Sequence, residues 1–498
     1  MKHGDEKQMK GLSKSRVMLG LQCPKLLWWS AHEPDAPELA VESDSAALHR
    51  GHVVGELARS YVPGGVLIDV PYYEIQNRIA ATAKAIAEGA SAVYEASFEA
   101  DGVFVAVDIL ERKRSEFTLT EVKSTLGVKE QHLPDVAVQA HVVRAAGLDV
   151  KRMEVMHLNR DCRYPDLSDL FVRTNVTTEV TPLLKSIPDE VEALHEVLEG
   201  PPPQAEIGER CNEPYPCPFQ GRCWPALPGH HMSTLYRISS KKVAKLAAEG
   251  CHTLLDLPET FKASGPAKRQ IRSARDGELI VEEGLRNALS ELEPPIAFLD
   301  FETVMPAVPA WPGCAPYQPV PVQLSCHVLT DGQLRHHEWL ADGAGDPREP
   351  FAEALLAVCQ GAETIVAYNA TFEIQRIDQL ARAVPRLAVA LKKLRKRVLD
   401  LLPVVRDHVY HPDFRGSFSL KSVLPALVSG FGYDDLDIQD GGAAAASLEV
   451  LLLGEGALTS VDKDALRRQL LAYCERDTLA MVKLYDRLRE LAPTVRRQ

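Results

Sequence analysis

Carboxylates set inside apolar, strand-like runs constrain this chain's fold more than any other feature, and they occur twice. VFVAVDILERKRSEFTLTEVKS carries Asp108, Glu121 and Lys123, while IAFLDFETV carries Asp300 and Glu302. Burying acids is costly unless a cation or bound protons neutralise them. Each run is therefore a candidate site for a divalent metal held against a phosphodiester, and two such sites point to two α/β units.

The segments between them support that division. Residues 1–232 end in the proline- and cysteine-rich stretch PPPQAEIGERCNEPYPCPFQGRCWPALPG, residues 233–292 read as a helical, basic segment, and residues 293–498 open on the strand IAFLDF. A length of 498 residues with 45% hydrophobic and 25% charged content suits a soluble globular chain, and the polar start marks neither export nor membrane insertion, so the cytoplasm is the expected compartment. A net charge of -13 excludes a protein that coats nucleic acid by bulk charge. Local basic strips remain: Lys241, Lys242 and Lys245; Lys268, Arg269, Arg272 and Arg275; Lys392, Lys393, Arg395, Lys396 and Arg397. Each is either part of a phosphate-binding groove or a solvated helix face.

In the first run the charged turn ERKRSE separates two β-rich stretches, which predicts a hairpin. Alternation puts Glu121 and Lys123 on one face with Asp108 beside them. The acids suit Mg²⁺ or Mn²⁺ and the lysine suits an attacking water or developing phosphate charge. A helix expected to start after Pro134 and end at Gly147 offers Gln139, and His52 and Glu56, four apart, share a helix face from which either could complete a metal shell. These residues resemble the PD-(D/E)XK nucleases of the RecB and AddB type, including the iron–sulfur exonucleases associated with CRISPR adaptation. The resemblance covers roughly residues 12–225 and implies a restriction-endonuclease-like fold with a histidine metal ligand, His52, with His49 as its rival. Where the family often continues Gln-x-x-x-Tyr, this chain has Val143.

Cys211, Cys217 and Cys223 follow at equal intervals, and Cys23 lies far upstream. Four thiolates can hold Zn²⁺ or a [4Fe–4S] cluster, and spacing alone leaves both open. The paired C-x₂₋₄-C spacing usual for zinc is absent. Resemblance to the same nucleases implies the [4Fe–4S] cluster. The other six cysteines read as core residues.

The middle segment reads as a helix, a turn at Gly250 and a second short helix from near Thr253, either a plain spacer or a helix-hairpin-helix-like grip on a duplex.

In the second run, alternation puts Phe298, Asp300 and Glu302 on one face and Ala297, Leu299 and Phe301 on the other. TIVAYNATFEIQRIDQL then brings Asn369 and Glu373 to a strand–helix junction, and the helical LLAYCERDTLAMVKLYDRL places Tyr473 and Asp477 on one face. This order resembles the DnaQ-like exonucleases of the RNase H-like fold whose third motif is Tyr-x-x-x-Asp. The resemblance, over about 295–490, implies two metal ions held by Asp300, Glu302, Glu373 and Asp477, with Tyr473 orienting the water. Glu373 stands where the family usually has aspartate. Asp400 and His411 read as a helix cap and a loop histidine, and Arg415, Ser417 and Lys421 as contacts for a terminal phosphate.

The expectation is a two-headed nuclease acting on DNA in preference to RNA, with 3′–5′ exonuclease action in the second head. An RNA-processing exonuclease and a catalytically weakened end-binding protein are the alternatives. With no glycine loop ending in GK[ST], a motor such as a helicase would be a separate chain.

Overall fold

The computed structural model describes residues 11–40, 45–224, 227–454 and 459–492. The chain divides into two compact units, residues 1–225 with 306–317, and residues 226–305 with 318–498. Both mix helices and strands.

In the first unit β1 (Leu12–Ser13), β2 (Val66–Leu67), β3 (Ala92–Ala100), β4 (Val103–Lys113), β5 (Glu116–Lys123), β6 (Val150–Leu158) and β7 (Phe171–Asn175) form a mixed sheet in the order β2-β3-β4-β5-β6-β7, with β1 beside the start of β4. β4 and β5 are the expected hairpin, turned by Arg114 at φ 60 and Ser115. Its register sets Ile109 opposite Thr120 and thereby brings Asp108 beside Glu121. Helices α1 (Lys14–Gln22), α2 (Pro24–His32), α3 (Ser45–Ser60), α4 (Ile75–Ala87), α5 (His132–Ala145) and α6 (Ile187–Glu199) accompany it. α5 is apolar on most sides and buries Val136, Val138, Val142 and Val143 in the core. It starts at His132, earlier than expected, because a proline is tolerated in the first turn, where N–H groups have no intrahelical acceptor. It ends before Gly147, whose φ of 95 favours glycine.

The second unit contains β8 (Ile280–Val281), β9 (Ile296–Val304), β10 (Val320–Thr330), β11 (Gln333–Leu340), β12 (Thr364–Ala367), β13 (Val398–Asp400) and β14 (Val409–Tyr410). Its main sheet runs β11-β10-β9-β12-β13, with β10 antiparallel to both neighbours and β12 parallel to β9 and β13. Its helices include α7 (Ser240–Ala248), α8 (Gly265–Asp276), α9 (Arg348–Val358), α10 (Thr371–Ala383), α11 (Ala388–Arg395), α12 (Leu401–His408), α13 (Leu420–Leu427), α14 (Gly441–Leu453) and α15 (Ser460–Leu491). Alternation along β9 sends Ile296 and Phe298 into a core with Met481, Leu484 and Leu488 of α15. Ala297, Leu299 and Phe301 enter the opposite core with Phe351 and Ile377. Asp300 and Glu302 continue the Phe298 face, the one that α15 covers.

Residues 233–292 lie within this second unit: β8 pairs with β14, and Arg269 of α8 donates to the Arg406 carbonyl at 3.2 Å. The second helix expected near Thr253 is a single 3₁₀ turn, Leu254–Asp256, in which Asp256 accepts the Thr253 N–H. No helix among the described residues is long and apolar enough to cross a membrane.

Candidate functional site

The second unit gathers its acids from three places. β9 supplies Asp300 and Glu302, and α15 supplies Asp477; one oxygen from each lies within 4.8 Å of the others. Glu373 comes from the first turn of α10, just beyond β12; it is buried, and its Oε2 has no hydrogen-bond partner. Burial, then the charges of Asp477, Glu302 and Glu373, push the Asp300 carboxyl well above the usual carboxylate range. Burial and Asp477 push Glu302 up to about 8 against the pull of Lys421, and burial pushes Glu373 up to about 7. An orphaned buried oxygen among crowded carboxylates fits a hard, oxygen-seeking cation, whose charge would lower these values.

Two phenols complete the site. Tyr433 Oη donates to Asp477 Oδ1 at 2.5 Å, and Tyr473, one turn before Asp477, lies within the influence of the same charge. Burial and then the Asp477 charge hold both phenols protonated. Lys421 Nζ lies 4.9 and 5.3 Å from their ring centroids and donates to the Gln439 carbonyl. Asn369, at φ 64 on the β12–α10 junction, donates its N–H to Asp400 Oδ1 at 2.8 Å. Asp400 also caps α12 through the Leu402 N–H, as its sequence context suggested.

The first unit brings Asp108, Glu121, Lys123 and Gln139 together, but with more company than expected. Lys123 Nζ lies 2.7 Å from Glu121 Oε1, and Lys14 Nζ, from the first turn of α1, lies 2.9 Å from the same oxygen. Both ammonium groups also pair with Asp135. Gln139 Nε2 donates to Glu121 Oε2 at 2.6 Å and Asp135 Oδ1 at 3.1 Å, and the Val122 N–H donates to Asp108 Oδ2 at 2.6 Å. Burial opposes ionisation of Glu121, yet Lys14 and Lys123 outweigh it and hold this carboxyl well below its usual range. Burial and the Glu121 charge push Asp108 far the other way. Glu95 adds to that push from β3, where its φ of 58 interrupts the pairing between Tyr94–Ile109 and Ala96–Val107. This pocket is already neutralised in part by lysines, whereas in the second unit Lys421 acts on Glu302 and Asp477 and Arg376 on Glu373, without an ion pair among the described residues as short as those around Glu121.

The four cysteines converge on one recess, with Lys25, Leu26, Trp29 and Gln220 among its other walls. Cys23 joins α1 to α2, Cys211 ends a 3₁₀ turn, and Cys223 ends a one-turn helix at Gln220–Cys223. Gln22 ties the two stretches by donating to the Arg210 and Tyr215 carbonyls at 2.9 and 2.7 Å. Burial pushes the Cys217 thiol up to about 11, and the other three sulfurs add to the effect. Such thiols ionise readily only against a metal, so this donor set fits a metal ion or cluster.

Comparison with known proteins touches the second unit's acids without naming their chemistry. Residues 297–419 match a domain of unknown function (DUF2779), a span that holds Asp300, Glu302 and Glu373 and stops short of Asp477. An uncharacterized protein of Ureaplasma parvum serovar 3 is 20% identical over 229 residues, covering 42% of this chain and 33% of that protein. The chain thus spans about a third of that relative's length.

Other expected residues sit elsewhere. His52 and Glu56 are exposed on α3 and pair with each other at 3.3 Å, and the carboxyl and ammonium groups acting on Asp108 are those of Glu121, Lys14 and Glu95. In the strip on α8, Arg269 is buried against the carbonyls of Arg406 and Asp407, Arg272 pairs with Glu282 at 3.0 Å, and Arg275 donates to the Leu257 carbonyl; Lys268 is exposed. Arg269 is buried, whereas Arg272 and Arg275 are exposed and carry partners within the unit. On α11, Arg395 pairs with Asp378 at 2.9 Å, while Lys392, Lys393 and Lys396 face solvent. Lys14, Glu95, Asp135 and Tyr433 were not anticipated. Only Glu95 carried a signal, an acid between apolar residues in AVYEASF like Asp108 in its own strand.

Proposed function

We propose that this chain is a metal-dependent nuclease with two heads, a PD-(D/E)XK-type iron–sulfur head in the first unit and a DnaQ-like 3′–5′ exonuclease in the second, acting on DNA in preference to RNA. The carrying observation is the cluster of four acids, Asp300, Glu302, Glu373 and Asp477, in which Glu373 keeps a buried oxygen without a hydrogen-bond partner and desolvation and mutual charge hold Asp300 and Glu302 above the usual carboxylate range despite Lys421. The acid-bearing strand at the centre of a mixed sheet, covered by the helix that carries Tyr473 and Asp477, supports the RNase H-like reading.

The four carboxylates would hold Mg²⁺ or Mn²⁺, which activates a water and stabilises the leaving oxygen when bound. Tyr433 holds Asp477 in place by donation, and Tyr473 and Tyr433 both remain protonated, so they are suited to orient a water, not to deprotonate one. Lys421 supplies positive charge beside Glu302 and Asp477, where a substrate phosphate brings further negative charge. In the first unit Asp108 and Glu121 would hold the metal, and Lys123 would assist the attacking water. The four thiolates would hold a [4Fe–4S] cluster that ties α1 and α2 to the end of that unit.

Lys14 favours a second reading for the first head alone. A second ammonium on Glu121 suits a module that grips a nucleic-acid end without cutting it. The test of the main reading is incubation of end-labelled DNA and RNA strands of matched sequence with Mg²⁺ or Mn²⁺. Stepwise shortening that stops in EDTA and is faster on DNA is expected; intact strands of both kinds would overturn the reading.

A further inference from the structure

A second ligand cluster lies on the same sheet face as the acids, one strand further across. In the registers of β9, β10 and β11, Ser325 stands beside Asp300 and Glu338, and His327 stands beside Phe298 and His336. α15 crosses this face too, and there it contributes Glu475 and Thr478. One ligand atom each from His327, His336 and Glu475 lies within 4.8 Å of the others.

The hydrogen bonds around the two rings are organised as metal-binding histidines require. His336 shares a bond between Nε2 and Ser325 Oγ at 2.9 Å, which leaves Nδ1 facing Glu475 Oε1 at 3.7 Å. His327 shares one between Nδ1 and Thr478 Oγ1 at 2.8 Å; among the described residues nothing bonds its Nε2. Each ring is thus held by a hydroxyl through one nitrogen and keeps the other for a ligand, the arrangement that fixes tautomer and direction in histidine metal sites. The ring centroids are 4.5 Å apart, His327 is buried, and Glu475 is half-exposed, so an ion could enter from solvent past the carboxylate.

We propose that His327, His336 and Glu475 bind one divalent transition ion of the zinc type, which fastens α15 to the β10–β11 hairpin. Two imidazoles and a carboxylate with an open fourth position suit zinc, whereas the all-oxygen set of Asp300, Glu302 and Asp477 suits magnesium or manganese. Glu475 precedes Asp477 by two residues on one helix, so the ion would set the position of α15 directly beside the acid site. The site does not depend on the nuclease reading.

Calorimetric titration of the full chain with Zn²⁺, in excess Mg²⁺ to fill the oxygen sites, tests it. Wild type, Asp300→Asn and Cys217→Ser are expected to share one zinc-binding event, and Glu475→Gln to weaken it by at least about tenfold. His336→Ala is expected to abolish it. Glu475→Gln changes a half-exposed helix position, so it decides the matter even if His336→Ala misfolds. No zinc binding in wild type would overturn the assignment, as would binding unchanged in Glu475→Gln, or an event lost in Asp300→Asn or Cys217→Ser.

Discussion

Replacing Glu302 with glutamine should make the metal-free protein more stable in mild alkali. Burial and the Asp477 charge push this carboxyl from 4.5 up to about 8, so between those values the folded chain holds a proton that the unfolded chain releases. The folded state binds more protons across this window, and stability therefore falls as pH rises from 4.5 to 8. At about 1.36 kcal/mol per pH unit the full displacement sets a ceiling of about 5 kcal/mol, which partial solvent access reduces to about 2–4 kcal/mol. Glu302→Gln removes the ionisation and keeps the shape. For a unit of this size the gain is a rise in Tm of about 5–10 °C at pH 9 in EDTA, with little change at pH 5. Scanning calorimetry at both pH values, repeated with Mn²⁺, makes the comparison; Mn²⁺ should stabilise wild type more than the variant. A variant less stable than wild type at pH 9 without metal would refute the reasoning, because Glu302 would then be an ionised and well-paired carboxylate.

Three further outcomes follow from the same physics. Anaerobically purified protein should contain about four irons per chain, and Cys23→Ala should lose them and destabilise the first unit; one zinc with no iron would contradict the cluster assignment. Lys14→Ala should flatten the acid unfolding of the first unit below pH 4.5. Glu121, held low by the lysines against its burial, contributes stability that is present above 4.5 and lost as pH falls toward its folded value, and urea melts from pH 5 to 2 measure this. Neutralising Lys392, Lys393 and Lys396 in a catalytically dead background with Ca²⁺ should reduce the salt slope of DNA binding by roughly one log unit per lost phosphate contact. Changing Arg269, Arg272 and Arg275 should lower Tm and leave that slope alone.

The parts of this molecule legible in its sequence are those set by short-range periodicity. Alternation along β9 assigned Asp300 and Glu302 to one face and Leu299 and Phe301 to the other, and the two cores are divided in that way. The hairpin around Arg114 and the helix face shared by Tyr473 and Asp477 follow from equally local rules. What stayed hidden depends on which distant groups tertiary packing brings near. Lys14 reaches Glu121 because β1 lies alongside β4, and nothing in the local sequence of GLSKSR foretells that pairing. Tyr433 sits in a loop with no period to mark it, yet it donates to Asp477. The α8 arginines show the same limit: a run of cations does not reveal their partners Glu282, Leu257 and Arg406, which packing supplies.

The central claim is that the acids of the second unit degrade strands from the 3′ end, and separate disabling of the two heads tests it most directly. A 5′-labelled single strand with Mn²⁺ should give a ladder of progressively shorter products with wild type and with Lys123→Ala, and remain at full length with Asp300→Ala. A ladder that survives Asp300→Ala and disappears with Lys123→Ala would contradict the account and assign the 3′–5′ activity to the first unit.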